Sequence, residues 1–153
     1  MADTERQVPD TAVPLLECKF DQTSLAALRG ELARCGAANG MADPELPNIV
    51  LAINEITTNA VRYAGGQGQL QLWRFEGSLF CRVADDGPGI PRRHLDESHR
   101  SRPGYIGGHG LWLARQIADS LAVETDRTGT RVLLRFALRP LESTVPRSLD
   151  GDV

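Results

Sequence analysis

Lysine is almost missing from this chain. Lys19 is the only one among 17 Lys and Arg residues. That excludes chemistries built on an invariant lysine: the P-loop G-x-x-x-x-G-K-[ST] and the strand lysine of eukaryotic-type kinases. Cysteine is sparse, with Cys18, Cys35 and Cys81 only. None has the C-x-x-C spacing of a zinc site. Cys18 and Cys81 fall on the apolar side of alternating segments and read as small buried hydrophobes. An odd count with no signal peptide fits a reducing cytoplasm. No apolar run approaches the roughly 18 residues that cross a bilayer, so no membrane association is expected. No run of like charges appears and the formal net charge is −3, so no direct nucleic-acid contact is expected either.

What is present is ordinary globular composition, 41% hydrophobic and 24% charged, in a length that suits one domain. Residues 1–13 are polar and read as a flexible arm, 14–139 as the folded domain, and 140–153 as a loose tail. "LLECKF" (15–20) sets Leu16, Cys18 and Phe20 against Glu17 and Lys19, a half-buried strand. Residues 23–40 have helical spacing, with Thr23 or Ser24 as cap and Gly30 as a weak point. Asp43-Pro44-Glu45 starts a second helix, 44–64, with an apolar stripe of Leu46, Ile49, Val50, Ile53, Ile56, Ala60 and Ala64. Residues 69–85 form a hairpin turning at Glu76-Gly77-Ser78, and a long Gly/Pro/Ser-rich connection follows over 86–108. A third helix is expected at 109–121, then strands at 122–126 and 130–138 joined at Arg127-Thr128-Gly129. The order β, α, α, β, β, α, β, β predicts a two-layer α/β sandwich. Its sheet is mixed, mostly antiparallel, with helices on one face.

Four short motifs stand out. Glu55 and Asn59 lie four apart on the second helix, about 200° and 240° around from Ile53, within reach of one another. Alone they describe a solvated helix face. "DDGPGI" (85–90) follows a strand; its D-x-G-x-G pattern lets backbone pass close to a flat ligand, and Asp85 can accept from an exocyclic amine. Alone it is a turn. "GGHGLWLA" (107–114) places glycines where a helix begins, exposing N–H groups to an anion. Alone it is a flexible joint. "DRTGTRV" (126–132) joins two strands, with Thr130 opening the second.

In this order the motifs resemble the ATP-binding domain of the Bergerat (GHKL) superfamily, over roughly residues 15–138. "NEITTNAVRYAGGQGQLQLWR" and "GHGLWLARQIAD" are most similar to the stand-alone anti-sigma-factor serine kinases and related anti-sigma regulatory proteins. The resemblance implies ATP and Mg²⁺ as cofactors, with Asn59 as the metal-binding asparagine. It implies that Asp85 reads adenine, with Gly87 and Gly89 making room for the base before Ile90. Gly107, Gly108, His109, Gly110 and Leu111 match the phosphate-contacting loop and helix start. Thr130 completes adenine recognition, usually through water, and Arg62 stands where a phosphate-contacting lysine is often found. Residues 91–106 match a short ATP lid.

Glu55 matches the carboxylate that acts as general base, which favours transfer to a serine or threonine hydroxyl. The implied function is a cytoplasmic anti-sigma factor and serine/threonine kinase, working as a homodimer on a sigma factor and a STAS-domain antagonist. The alternatives are a catalytically weak, nucleotide-dependent binding module and an orphan histidine-kinase ATPase domain. No dimer surface is readable; Trp73 and Arg74 read as exposed residues of an edge strand.

Overall fold

Alternation in the strands decides how the sheet lies. In this computed structural model, residues 12–42, 44–63, 66–87 and 106–138 are described. The elements are β1 (Leu16–Asp21), a 3-10 turn (Gln22–Ser24), α1 (Leu25–Ala38), α2 (Glu45–Tyr63), β2 (Gln67–Phe75), β3 (Ser78–Asp85), α3 (Ile106–Ile117), β4 (Ser120–Asp126) and β5 (Gly129–Ala137). The sheet order is β1-β2-β3-β5-β4. The two-layer architecture is as expected, but every pairing among the described strands is antiparallel rather than mixed. β3 and β4 run in the same direction across the α3 crossover, yet β5 folds back between them and keeps them apart.

One face of each strand is apolar and meets the helices. Phe20, Leu70, Leu72, Cys81, Val83, Val132, Leu134 and Phe136 are all buried there, beside Ile49, Ala52, Ile53, Ile56 and Ala60 of α2. Each large aliphatic side chain so buried contributes about 1.5–3 kcal/mol of transfer free energy. The hairpin β2–β3 turns on Glu76 and Gly77, both with positive φ (51° and 77°), as a two-residue turn whose twist suits the strands. Ser78 already belongs to β3, paired with Phe75.

Three boundaries differ from expectation. The third helix ends at Ile117, and Ser120 and Leu121 start β4. Asp119 fixes that switch: its N–H donates to the Arg135 carbonyl at 2.8 Å, and its carboxylate accepts from the Ala137 N–H at 2.7 Å. The same helix starts at Ile106, so Gly107 and Gly108 lie inside its first turn rather than ahead of it. Ser24 stands at the N-cap position of α1 as expected, but its side chain makes no cap bond to that helix; the side-chain cap is Asp21, at the head of the 3-10 turn. Its carboxylate accepts from the Thr23 N–H at 2.9 Å, and Ser24 Oγ accepts from the Asp21 N–H at 2.9 Å. Asp43, Ala64 and Gly65, which were to bound the second helix, lie outside the described residues, as do most of the expected arm and tail.

Trp73 and Arg74 do not belong to an edge strand, because β2 lies between β1 and β3, although the pairing with β1 ends at Leu72, just before them. Arg74 shares the parity of Leu70 and Leu72 and donates from its guanidinium to the Asn39 carbonyl. Trp73 points to the other face, opposite Phe80, which is buried although it stands outside the main core. The Trp73 indole Nε1 is the one buried side-chain polar atom without a partner among the described residues.

Candidate functional site

β3 and β5 end level with one another, which brings two of the motifs together. Asp85 is the partner of Thr130 across the antiparallel pair. Both share the parity of Val83 and Val132, so their side chains lie on the helix side of the sheet. Past Asp85 the chain turns, and the Gly87 N–H donates back to Asp85 Oδ1 at 3.0 Å, an Asx-type turn. Burial pushes the Asp85 carboxyl above the ordinary aspartate range; hydrogen bonds from the Gly87 and Thr130 N–H groups oppose this without cancelling it. A partly desolvated carboxylate gains most from a further donor, such as an exocyclic amine.

Gly129 makes this closeness possible. Its φ is +151°, and a Cβ there would stand 2.0 Å from the Asp85 carbonyl oxygen and 2.9 Å from Asp86 Cα. No side chain fits. The β4–β5 turn is held by Asp126, whose Oδ1 accepts from the Thr128 N–H at 2.8 Å and from its hydroxyl at 2.6 Å. Those bonds hold the Asp126 carboxyl below its usual value. Thr130 is 2% exposed, and its hydroxyl lies 2.8 Å from that of Thr125.

On α2, Asn59 is buried and Glu55 half-buried, so the pair is not a fully solvated face. The helix packs against α1 and α3 as well as the sheet, and this widens its covered face beyond the predicted stripe to Ala52, Thr57 and Asn59. Thr57 satisfies its buried hydroxyl by donating to the Asn54 carbonyl at 3.1 Å. Arg62 is exposed in the last turn of α2. Gly107, Gly108, His109 and Gly110 belong to the first turns of α3, where the leading N–H groups have no intrahelical acceptor. Leu111 is buried in the core and anchors that helix. Gly89, Ile90 and the expected lid up to residue 105 lie outside the described residues.

Two residues that touch the expected site residues are not singled out by the sequence: Gly129, against Asp85, and Thr125, beside Thr130. Gly129 was legible only as a turn, because the strand it faces is remote in sequence. Thr125 had a signal: a two-residue turn at Arg127-Thr128 makes Thr125 the partner of Thr130. Among the described residues no three His, Cys, Asp or Glu side chains converge as a metal cage.

A family model described as "Histidine kinase-like ATPase domain" matches residues 18–136, and the chain belongs to that family. Membership makes it a GHKL-type ATP-binding domain, with kinase or ATPase activity as the general class. Among solved structures it is similar to the SiaB–SiaC complex from Pseudomonas aeruginosa, with TM-score 0.57 and 14% identity, covering 89% of this chain and 94% of that one. It is also similar to a histidine kinase domain of the blue-light activated kinase from Erythrobacter litoralis (TM-score 0.53, 23% identity, 88% and 72% covered). The mycobacterial sensor histidine kinase MprB gives TM-score 0.50 at 20% identity, with 82% and 99% covered. At these identities the likeness is one of fold. No curated protein sequence matches the chain. No described helix is long and apolar enough to cross a membrane.

Proposed function

We propose that this protein is an ATP-dependent serine/threonine kinase and anti-sigma factor that phosphorylates a STAS-domain antagonist. The observation that carries the nucleotide half is the pairing of Asp85 with Thr130 beside the Gly87 turn. A half-buried carboxylate there takes the adenine amine, and Gly87, with Gly89 and Ile90 beyond it, frames the base. The first turn of α3, at Gly107 and Gly108, receives phosphate oxygens while Leu111 holds the helix in the core behind it, and Arg62 adds positive charge. Asn59 carries a side-chain amide oxygen, a hard donor of the kind Mg²⁺ takes together with phosphate oxygens. When bound, that ion supplies charge neutralisation on the phosphates.

Glu55 is the general base in this reading. It stands one turn before Asn59 and is half-buried, so a hydroxyl can reach it. It takes the proton of a substrate serine or threonine as that oxygen bonds to the γ-phosphorus. The bond to the bridging oxygen breaks and ADP leaves. The partners are a sigma factor and its antagonist, the chain acting as a cytoplasmic homodimer. A solved neighbour that is itself a two-protein complex supports a protein partner.

Incubation with radiolabelled ATP, Mg²⁺ and the STAS-domain proteins of the same genome tests the kinase step. Label is expected on an antagonist serine or threonine, and Glu55→Ala should reduce its rate by about 10²-fold or more, the scale of a lost general base. ATP binding by Glu55→Ala should stay within a few fold of the parent. Absence of label from the complete set would sink the kinase step. Partner binding that still responds to ATP in that case would favour a nucleotide-dependent binding module.

A further inference from the structure

The sheet carries a row of three polar residues at one level: Thr125 on β4, Thr130 on β5 and Asp85 on β3. Asp85 and Thr130 belong to the proposed adenine site; nothing yet accounts for Thr125. We propose that Thr125 is a positioning residue for nucleobase recognition, its hydroxyl deciding which way the Thr130 hydroxyl proton points. This rests on the reading of Asp85 and Thr130 as the adenine-facing groups.

A threonine hydroxyl carries one proton and two lone pairs on a free rotor. Thr130 is 2% exposed, so bulk water does little to set its rotor. Its oxygen lies 2.8 Å from Thr125 Oγ1, a distance at which one of the two hydroxyls donates to the other. If Thr130 donates, it shows the ligand only lone pairs. If Thr125 donates, the Thr130 proton is free to face the ligand.

Adenine needs the second arrangement. Its amine donates to Asp85, and the neighbouring ring nitrogen is an acceptor that requires a donor, either Thr130 itself or a water holding the Thr130 proton's direction. Guanine reverses both demands: a carbonyl would meet the Asp85 carboxylate, and a ring N–H would need an acceptor. Thr125 as donor therefore makes the row read acceptor at Asp85 and donor at Thr130. The edge strand β4 thus contributes to base selection through a residue that need not touch the base.

The competing role is plain cross-strand stabilisation, since opposed threonines often hydrogen-bond in sheets. That role predicts lower stability for a hydroxyl-free variant and no change in base preference. The test is calorimetric titration of the full chain with ATP and with GTP, each with Mg²⁺, using Thr125→Val, Thr125→Ser and Asp85→Asn. Thr125→Val keeps the shape and removes the hydroxyl. It should weaken ATP binding by about three- to tenfold, the scale of one neutral hydrogen bond, and narrow the ATP-over-GTP preference to match. Thr125→Ser should restore both.

If Thr125→Val does not fold, Thr125→Ala replaces it with the same expectations. Parental ATP affinity and base preference in the hydroxyl-free variant, with Asp85→Asn still impaired, would overturn the role of Thr125 alone. A parent that binds no ATP, or Asp85→Asn binding as tightly as the parent, would remove the adenine site and this inference with it.

Discussion

At the scale of the residue, the burial of Asp85 costs the free fold stability, and the proposed adenine role would draw on that same burial. Its carboxyl pKa is raised above the ordinary value of 3.8, chiefly by burial. A raised carboxyl contributes stability to the free fold below the unfolded pKa, and that contribution is lost as pH rises through the folded pKa. In the proposed adenine site nucleotide affinity has the opposite sign, because the amine needs the ionised form. ATP affinity is therefore expected to fall as pH drops through the raised pKa, in a window above that of an ordinary aspartate. Asp85→Asn should lose ATP affinity by about tenfold to a hundredfold, the scale of a hydrogen bond to a charged group, and should flatten this pH dependence. Its free form should melt no lower than the parent at neutral pH. Titration calorimetry across the acidic range, paired with thermal denaturation, reads both; an Asn variant that melts lower and binds normally would mean Asp85 is a structural cap.

At the scale of the element, much was legible and the misses share a cause. The β2–β3 hairpin could be read because Leu79, Cys81 and Val83 alternate and Glu76-Gly77 supply the turn. The end of α3 could not, because Leu121 fits both a helical stripe and the strand face it takes beside Leu134. What decides is Asp119, whose bonds to β5 involve carbonyl and amide groups that no periodicity reveals. The burial of Asn59 depends on packing around α2, which its own spacing cannot show. Gly129 is the sharpest case. Its lack of a side chain is set by Asp85, 44 positions earlier by the numbering (129 minus 85). Gly129→Ala must push the end of β3 away from β5, at a cost of about 1–3 kcal/mol or more for strain at such a position. It should lower the melting temperature and weaken nucleotide binding together; parental behaviour in both assays would mean the β3 end has room to move.

At the scale of the whole molecule, one core supports both layers. Leu134 sits within it, fully buried on the interior strand β5 between Cys81 and Leu121. Leu134→Ala should cost about 2–5 kcal/mol, from lost transfer energy and the cavity left behind. Denaturant unfolding measures this directly. A cost under about 0.5 kcal/mol, the range of surface changes, would contradict the packing described. The two-layer architecture was legible because element order and alternation agree throughout. The fully antiparallel sheet was not, because it depends on where β5 inserts.

That insertion has a consequence for how the protein comes to exist. β5 is the last of the described strands in sequence, yet it occupies a place inside the sheet. On a ribosome, β1, β2 and β3 emerge first and can pair as a meander, leaving the far side of β3 as a bare edge. Such an edge is open to wrong pairing until a strand covers it. The nascent chain must carry that exposure through the synthesis of α3 and β4. Since Thr130 arrives only with β5, the proposed base recognition cannot precede the closing of the sheet. A chain cut before Gly129 should therefore neither bind nucleotide nor stay monodisperse, whatever else it manages to fold.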